Sequence, residues 1–176
     1  SIMASILKVN TIQDATNSNT ALSIDSSGRV SLPNRIAGAF RHSVSQTISN
    51  TSSTVVQLNT TMFNDGLTLD TSNYKVTVPV DGIYIVLGSI GYNGGAEQPH
   101  CGIYLNDGNT DESKGTPDAW VQLGDYANSS AQVIVQNHKL LSLTANDYLQ
   151  LVAYHNSGES KSLHVNRTFL SLVKLA

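Results

Sequence analysis

Apolar and polar residues alternate with a period of two along much of the chain after residue 38. Residues 74–78, Tyr-Lys-Val-Thr-Val, are the clearest case, and Val80-Asp81-Gly82 directly after them forms a tight connection to the next strand. No stretch shows the 3.6-residue period of an amphipathic helix. The pattern predicts an all-β sandwich of antiparallel neighbours, with strands near residues 39–43, 54–58, 66–69, 74–79, 82–90, 101–106, 120–123, 131–143, 148–154 and 163–175.

The first 38 residues have a sparser apolar pattern. Residues 21–25 and 29–32 alternate around Ser26-Ser27-Gly28, which predicts a β-hairpin with Gly28 at the position that needs a positive φ. One copy of such a segment cannot bury enough apolar surface to fold alone. We therefore expect residues 1–38 to form a β-stalk that copies of itself stabilise, as in an intertwined trimer; a flexible tail is the alternative. Ser1 and Ile2 precede a methionine and are interpreted as a cloning remnant.

Two runs of the predicted sandwich do not alternate. Residues 133–135 and 169–173 place apolar groups on both sides of their strands, although one face of each sheet in a two-layer sandwich should meet water. Something must cover the second face, and the commonest cover is a symmetric copy of the chain; a thick loop is the alternative. The residues expected at this subunit interface are Val133, Val135, Leu170 and Leu172.

Composition and charge exclude several classes of function. The chain has 176 residues, a net charge of −3 and singly scattered Lys and Arg, so no basic stripe is available to neutralise nucleic acid. No apolar run approaches the roughly 20 residues of a membrane-spanning helix. Cys101 is the single cysteine, which removes intrachain disulfides and multi-cysteine metal sites.

The sequence offers little catalytic or metal-binding chemistry. Residues 107–111 resemble the first half of a calcium loop, but Glu112 stands where the loop needs glycine. The five histidines have no metal-ligand spacing, and no Gly-x-Ser-x-Gly motif is present. We therefore expect no enzyme activity, metal or cofactor. His100 beside Cys101 permits a reactive thiol, although most such cysteines are inert core residues.

Residues 107–130 form a connection longer than a hairpin needs, and it carries the single tryptophan. Aromatic faces next to planar polar groups suit sugar rings, and long loops on a rigid sandwich commonly carry recognition. The candidate ligand-binding residues are Trp120, Tyr126, Asp111 and Asn109. Packing of Trp120 in the core or at a subunit interface is the alternative.

The predicted head resembles the C1q-domain family. The residues at the spacing of its signature are Leu58, Asn64, Leu69, Val76, Gly82, Tyr84, Val86 and Gly88. Asn64, Leu69, Gly82 and Tyr84 match it outright, whereas aliphatic residues or glycine replace the aromatics elsewhere. Residues 140–151 and 169–173 are similar to later strands of the family. The resemblance implies a C1q/TNF-like jelly roll over residues 39–176 that assembles as a homotrimer.

The N-terminal part resembles a different group of proteins. Residues 6–13, Ile-Leu-Lys-Val-Asn-Thr-Ile-Gln, followed by residues 21–30, look like the start of structural proteins of tailed phages. Together the two resemblances imply a tail-fibre or appendage protein of a virion, made in the bacterial cytoplasm. Its N-terminal segment would contact other virion proteins, and its head would bind a host-surface glycan or receptor. The alternatives are a capsid-decoration or baseplate module that only trimerises, and a bacterial C1q-like lectin.

Overall fold

The structure is a computed structural model that describes residues 8–32, 35–106 and 132–175, together with the backbone of residues 119–122. The chain divides into two compact units, Ser1–Arg35 and Ile36–Ala176. The sequence placed the boundary after residue 38, but the first strand of the larger unit already begins at Ala37. The described residues contain no helix long and apolar enough to cross a membrane.

The smaller unit is a three-stranded antiparallel sheet in the order β1-β2-β3, with β1 (Thr11–Gln13), β2 (Thr20–Ile24) and β3 (Val30–Ser31). The predicted hairpin is confirmed as β2 and β3, and Gly28 has a φ of 76° in the turn between them. Asp25 accepts hydrogen bonds from the backbone of Ser27 and Arg29, and these bonds close the turn. Strand β1 was not predicted.

The larger unit is an antiparallel β-sandwich. Its strands are β4 (Ala37–Arg41), β5 (Thr47–Ile48), β6 (Thr54–Val55), β7 (Thr60–Asp65), β8 (Thr68–Asp70), β9 (Lys75–Thr77), β10 (Gly82–Tyr92), β11 (His100–Leu105), β12 (Ala119–Gln122), β13 (Val133–Leu143), β14 (Tyr148–Tyr154), β15 (Lys161–Ser162) and β16 (Phe169–Lys174). One sheet has the order β13-β10-β16-β4-β7 and the other the order β12-β11-β14-β9-β8, with β6 also paired to β14. Strands β5 and β15 form a separate pair.

The core lies between the two large sheets, because alternate side chains of each strand point inward. Strand β10 is the clearest example, since Tyr84, Val86 and Ile90 are fully buried while Ile83 and Ile85, which alternate with Tyr84 and Val86, are exposed. The opposite sheet contributes the buried side chains Val76, Cys101, Ile103, Leu149, Leu151 and Ala153.

Most of the predicted strands are confirmed, with differences at strand ends and in short elements. Strand β7 was missed, and the long final strand predicted over residues 163–175 is shorter, since β16 begins at Phe169. The residues directly before β16 instead form turns, in which the backbone N–H of Arg167 donates to the carbonyl of His164. The short pair β5 and β15 was also missed.

Candidate functional site

The outer face of the five-stranded sheet is apolar across several strands. We use the term outer face for the outward side chains of this sheet, which include Ala37, Ala39, Phe63, Ile83, Ile85, Leu87, Leu140, Phe169 and Val173. Their order follows from the strand register. Leu140, Ile85, Val173 and Ala37 lie side by side in one row, which ends at Asp65 of β7. Leu87, Ser171, Ala39 and Phe63 lie in the next row, which begins at His138 of β13.

Several of these side chains are open to solvent in the single chain. The exposed fractions are 40% for both Ile83 and Ile85, 51% for Phe63 and 64% for Leu140. A soluble monomer rarely leaves a contiguous apolar patch of this kind uncovered. The outer face therefore has the character of a protein–protein interface.

The residues that the sequence assigned to this interface are on the wrong side of their strands. Val135, Leu170 and Leu172 belong to the core cluster and are at most 2% exposed, and Val133 is 6% exposed. Side chains that are already buried within one chain offer no surface to another. The prediction that these four residues form the interface is corrected accordingly. Their outward neighbours, such as Phe169 and Val173, lie on the outer face instead.

A groove of about 190 Å³ lies at one end of the outer face. Its lining combines apolar and polar side chains, namely Ala39, Arg41, Met62, Asn166, Phe169 and Ser171. The Arg41 Nε–H is buried and has no hydrogen-bond partner among the described residues. An unpaired buried donor costs about 1–3 kcal/mol. Because this Nε atom is enclosed, a molecule in the groove cannot reach it unless the Arg41 side chain moves.

Only the backbone of one predicted ligand-binding residue falls within the structure. Trp120 lies in β12 and pairs in register with Gly102 of β11. Its side chain lies outside the described residues, and so do Asn109, Asp111 and Tyr126. The predicted sugar site stays a prediction.

Cys101 is a core residue. Its thiol is fully buried, and burial raises its pKa to about 12. The thiol therefore stays protonated near neutral pH, which contradicts the reactive-thiol alternative. Within the described part of the chain, no three His, Cys, Asp or Glu side chains come together as a group that could hold a metal ion.

Three of the described histidines are buried, His42, His100 and His155, and no sequence pattern indicated their burial. His42 and His155 are fully buried, and burial lowers the pKa of both side chains. A ring nitrogen of His155 lies 3.1 Å from the carbonyl oxygen of Ile48, and the ring packs edge-on against Tyr92 with centroids 5.7 Å apart. Burial therefore favours the neutral form of the His42 and His155 rings in the folded chain.

Comparison with solved structures identifies the architecture. The structure of Eiger TNF from S. frugiperda superposes with a TM-score of 0.60 at 18% identity, covering 81% of this chain and 94% of that one. Murine APRIL at pH 5.0 gives a TM-score of 0.56 at 16% identity, covering 80% of this chain and 99% of that one. The fold is a TNF-like jelly roll. No protein-family model matches the chain, and no curated protein does.

The TNF-like jelly roll confirms the C1q/TNF-like fold that the sequence predicted, and it explains the matched signature residues. Asn64 holds the turn after β7, since its amide donates to the carbonyl of Leu67 at 2.8 Å and its oxygen accepts from the N–H of Leu67 at 3.0 Å. The Tyr84 hydroxyl donates to the carbonyl of Val80 at 2.9 Å, which ties β10 to the connection before it. These matches therefore reflect folding of the TNF-like jelly roll.

Proposed function

We propose that this chain is the head of a homotrimeric virion appendage that attaches to the surface of a host cell. The observation that carries the proposal is the apolar outer face of the five-stranded sheet. In the described residues nothing helical packs on this face, and symmetric copies of the chain are the commonest cover for such a surface. The proposed protein is a binding and assembly module that needs no catalytic chemistry.

The energetics favour association through the outer face. Complete burial of an Ile, Leu or Phe side chain stabilises by about 1.5–3 kcal/mol relative to its exposed state. Ile83, Ile85, Phe63 and Leu140 each keep 40% or more of their surface exposed in the single chain, so a neighbouring copy gains from covering them.

Attachment to the host follows from the two sequence resemblances and from the proposed assembly. The N-terminal segment would contact other virion proteins, and the long connection with Trp120, Tyr126, Asp111 and Asn109 would bind a surface glycan. Each such site can be weak, because three sites on one trimer raise the apparent affinity through their effective concentration. Such a protein acts on the virion after its synthesis in the bacterial cytoplasm.

Light scattering tests the assembly. We expect the wild-type chain to have the mass of three copies, and we expect Ile85→Asp to lower that mass because it places a charge in the outer face. Val80→Asp is the matched control, since Val80 is 41% exposed, nearly the same as Ile85, but lies in the connection between β9 and β10. A monomeric wild type, or equal masses for the two variants, would contradict the proposed interface.

Adsorption to intact host cells tests the attachment. Trp120→Ala should leave the mass of the trimer unchanged and reduce binding to cells and to a glycan array. Wild-type trimers that bind neither would favour the capsid-decoration or baseplate module. Wild-type trimers that bind while Trp120→Ala binds equally well would remove Trp120 from the recognition site.

A further inference from the structure

The register of the small N-terminal sheet sorts its side chains onto two different faces. Ile12 pairs with Leu22, and Ile24 pairs with Val30, so these four side chains share one face. Thr11 pairs with Ser23, and Ser23 pairs with Ser31, which makes the opposite face polar. We call the first group the stalk face: Ile12, Leu22, Ile24 and Val30.

The stalk face is not covered by the other described residues of its unit. No side chain among residues 8–32 is buried, and Ile12 and Val30 are 48% and 60% exposed. The turns that connect the strands of this unit are nevertheless closed by hydrogen bonds. The Asp14 carboxylate accepts from the N–H of Asn17, and Asp25 accepts from the N–H and the side chain of Arg29. Residues 8–32 thus have a defined backbone but no core among themselves, and sheets of this size need a packed apolar face for stability.

We propose that the stalk face packs against the stalk faces of other copies of this chain, which gives the N-terminal segment a shared core that exists only in the assembled protein. The inference rests on the proposed self-association and names the second surface that takes part in it. Copies held together by their heads would bring these segments to a high effective concentration. The exposed apolar side chains of one copy would then be buried by those of its neighbours.

Charge is compatible with contact between identical copies. Residues 8–32 contain two cations, Lys8 and Arg29, and two anions, Asp14 and Asp25, so their net charge is zero. Asp25 and Arg29 pair with each other at 2.7 Å in the turn between β2 and β3. The stalk face itself carries no ionisable group. Identical faces therefore meet without electrostatic repulsion, and only apolar surface leaves water.

The test measures amide hydrogen exchange of residues 8–32 in the full chain. The perturbing variant is the double substitution Ile24→Thr/Val30→Thr, which keeps both side chains β-branched and so preserves strand propensity while adding hydroxyls to the stalk face. The matched control is Ser23→Thr/Ser31→Thr, on the opposite face of the same two strands. We expect exchange in β2 to become roughly tenfold faster or more in the first variant and to stay slow in the control.

Two further measurements separate this inference from the proposed function. In Ile85→Asp, which should weaken the contact between heads, we expect the wild-type protection of residues 8–32 to be lost as the copies separate. Protection that survives in a monomer would mean that the same chain covers the stalk face, and the inference would fail. Fast exchange of residues 8–32 in a wild-type oligomer, or equal exchange in both double variants, would overturn the inference alone. A monomeric wild type would overturn both proposals.

Discussion

Substitution of Gly88 by alanine tests how closely the two sheets approach each other. A Cβ atom at Gly88 would lie 2.9 Å from Leu151 Cδ1, 3.2 Å from Cys101 Sγ and 3.3 Å from Ile103 Cγ1. Favourable contacts between carbon atoms lie at about 3.5–4.0 Å. The three neighbours come from β11 and β14 of the opposite sheet and are fully buried, so none can move into solvent. An added methyl group must therefore push the sheets apart or force side chains out of their rotamers.

The cost follows from what overpacking does in filled cores. Inserting a carbon into a well-packed interior destabilises proteins by about 1–3 kcal/mol. We expect Gly88→Ala to lower the free energy of unfolding by this amount. Urea unfolding followed by circular dichroism measures it, at one fixed protein concentration because association adds concentration-dependent stability. A variant as stable as the wild type would refute the close approach at Gly88.

A double-mutant cycle identifies the neighbour responsible for the cost. Leu151→Ala removes the Cδ1 atom that would make the shortest contact, at the cost of a cavity. In that background Gly88→Ala should cost about 1 kcal/mol less than it does in the wild type, because the new methyl group can occupy part of the cavity. Additive costs would mean that Leu151 is not the obstacle.

Three further predictions concern buried polar groups. Tyr92→Phe should lower the free energy of unfolding by about 1 kcal/mol in urea titrations, because its hydroxyl lies 2.9 and 3.2 Å from backbone carbonyls of β14 and β11. Burial lowers the pKa of His42 and His155. Just below pH 6.5 these two rings therefore bind protons more readily in the unfolded chain than in the folded chain. The free energy of unfolding should be largest above pH 6.5 and should fall as the pH drops towards the lowered pKa values. The slope of this fall should be shallower in His155→Gln. Cys101, with a pKa of about 12, should react with a thiol reagent only as fast as the protein opens, so rapid labelling of native protein would contradict its burial.

Strand alternation predicted most strands of the larger unit, and its failure at β7 has a physical cause. Strands β9 and β14 lie in the interior of their sheet. Burial there produces the alternating pattern of residues 75–77 and the apolar run of residues 148–154, and both strands were predicted. Strand β7, Thr-Thr-Met-Phe-Asn-Asp, is at a sheet edge, and nearly all of its residues are exposed. An edge strand buries little, so burial leaves only a weak pattern in its sequence.

The second apolar face was predictable, but its residues were not. Apolar residues on both sides of the strands at residues 133–135 and 169–173 indicate that both faces are covered. They do not say which side faces the core, because a shift of one position exchanges the two sets. That choice depends on the partner strands. Leu170 lies opposite Gly88 and Phe40, and both of these positions face the core between the sheets.

The two sheets of the sandwich differ in a way that composition alone does not explain. On the outward side of the six-stranded sheet, Thr77 pairs with Thr68, Asp70 pairs with Lys75, and the Lys75 ammonium lies 4.6 Å from the centre of the Tyr148 ring. The edge formed by β8 and β9 follows the usual rule that a sandwich exposes its polar side to water, whereas Tyr104 and Val152 on the outward side of β11 and β14 are buried. The five-stranded sheet breaks that rule within the same chain, with Ile85 and Leu140 side by side in the equivalent outward position. The contrast therefore lies in exposure: Ile85 and Leu140 are 40% and 64% exposed on the outer face, and contact between copies, as proposed above, would cover them.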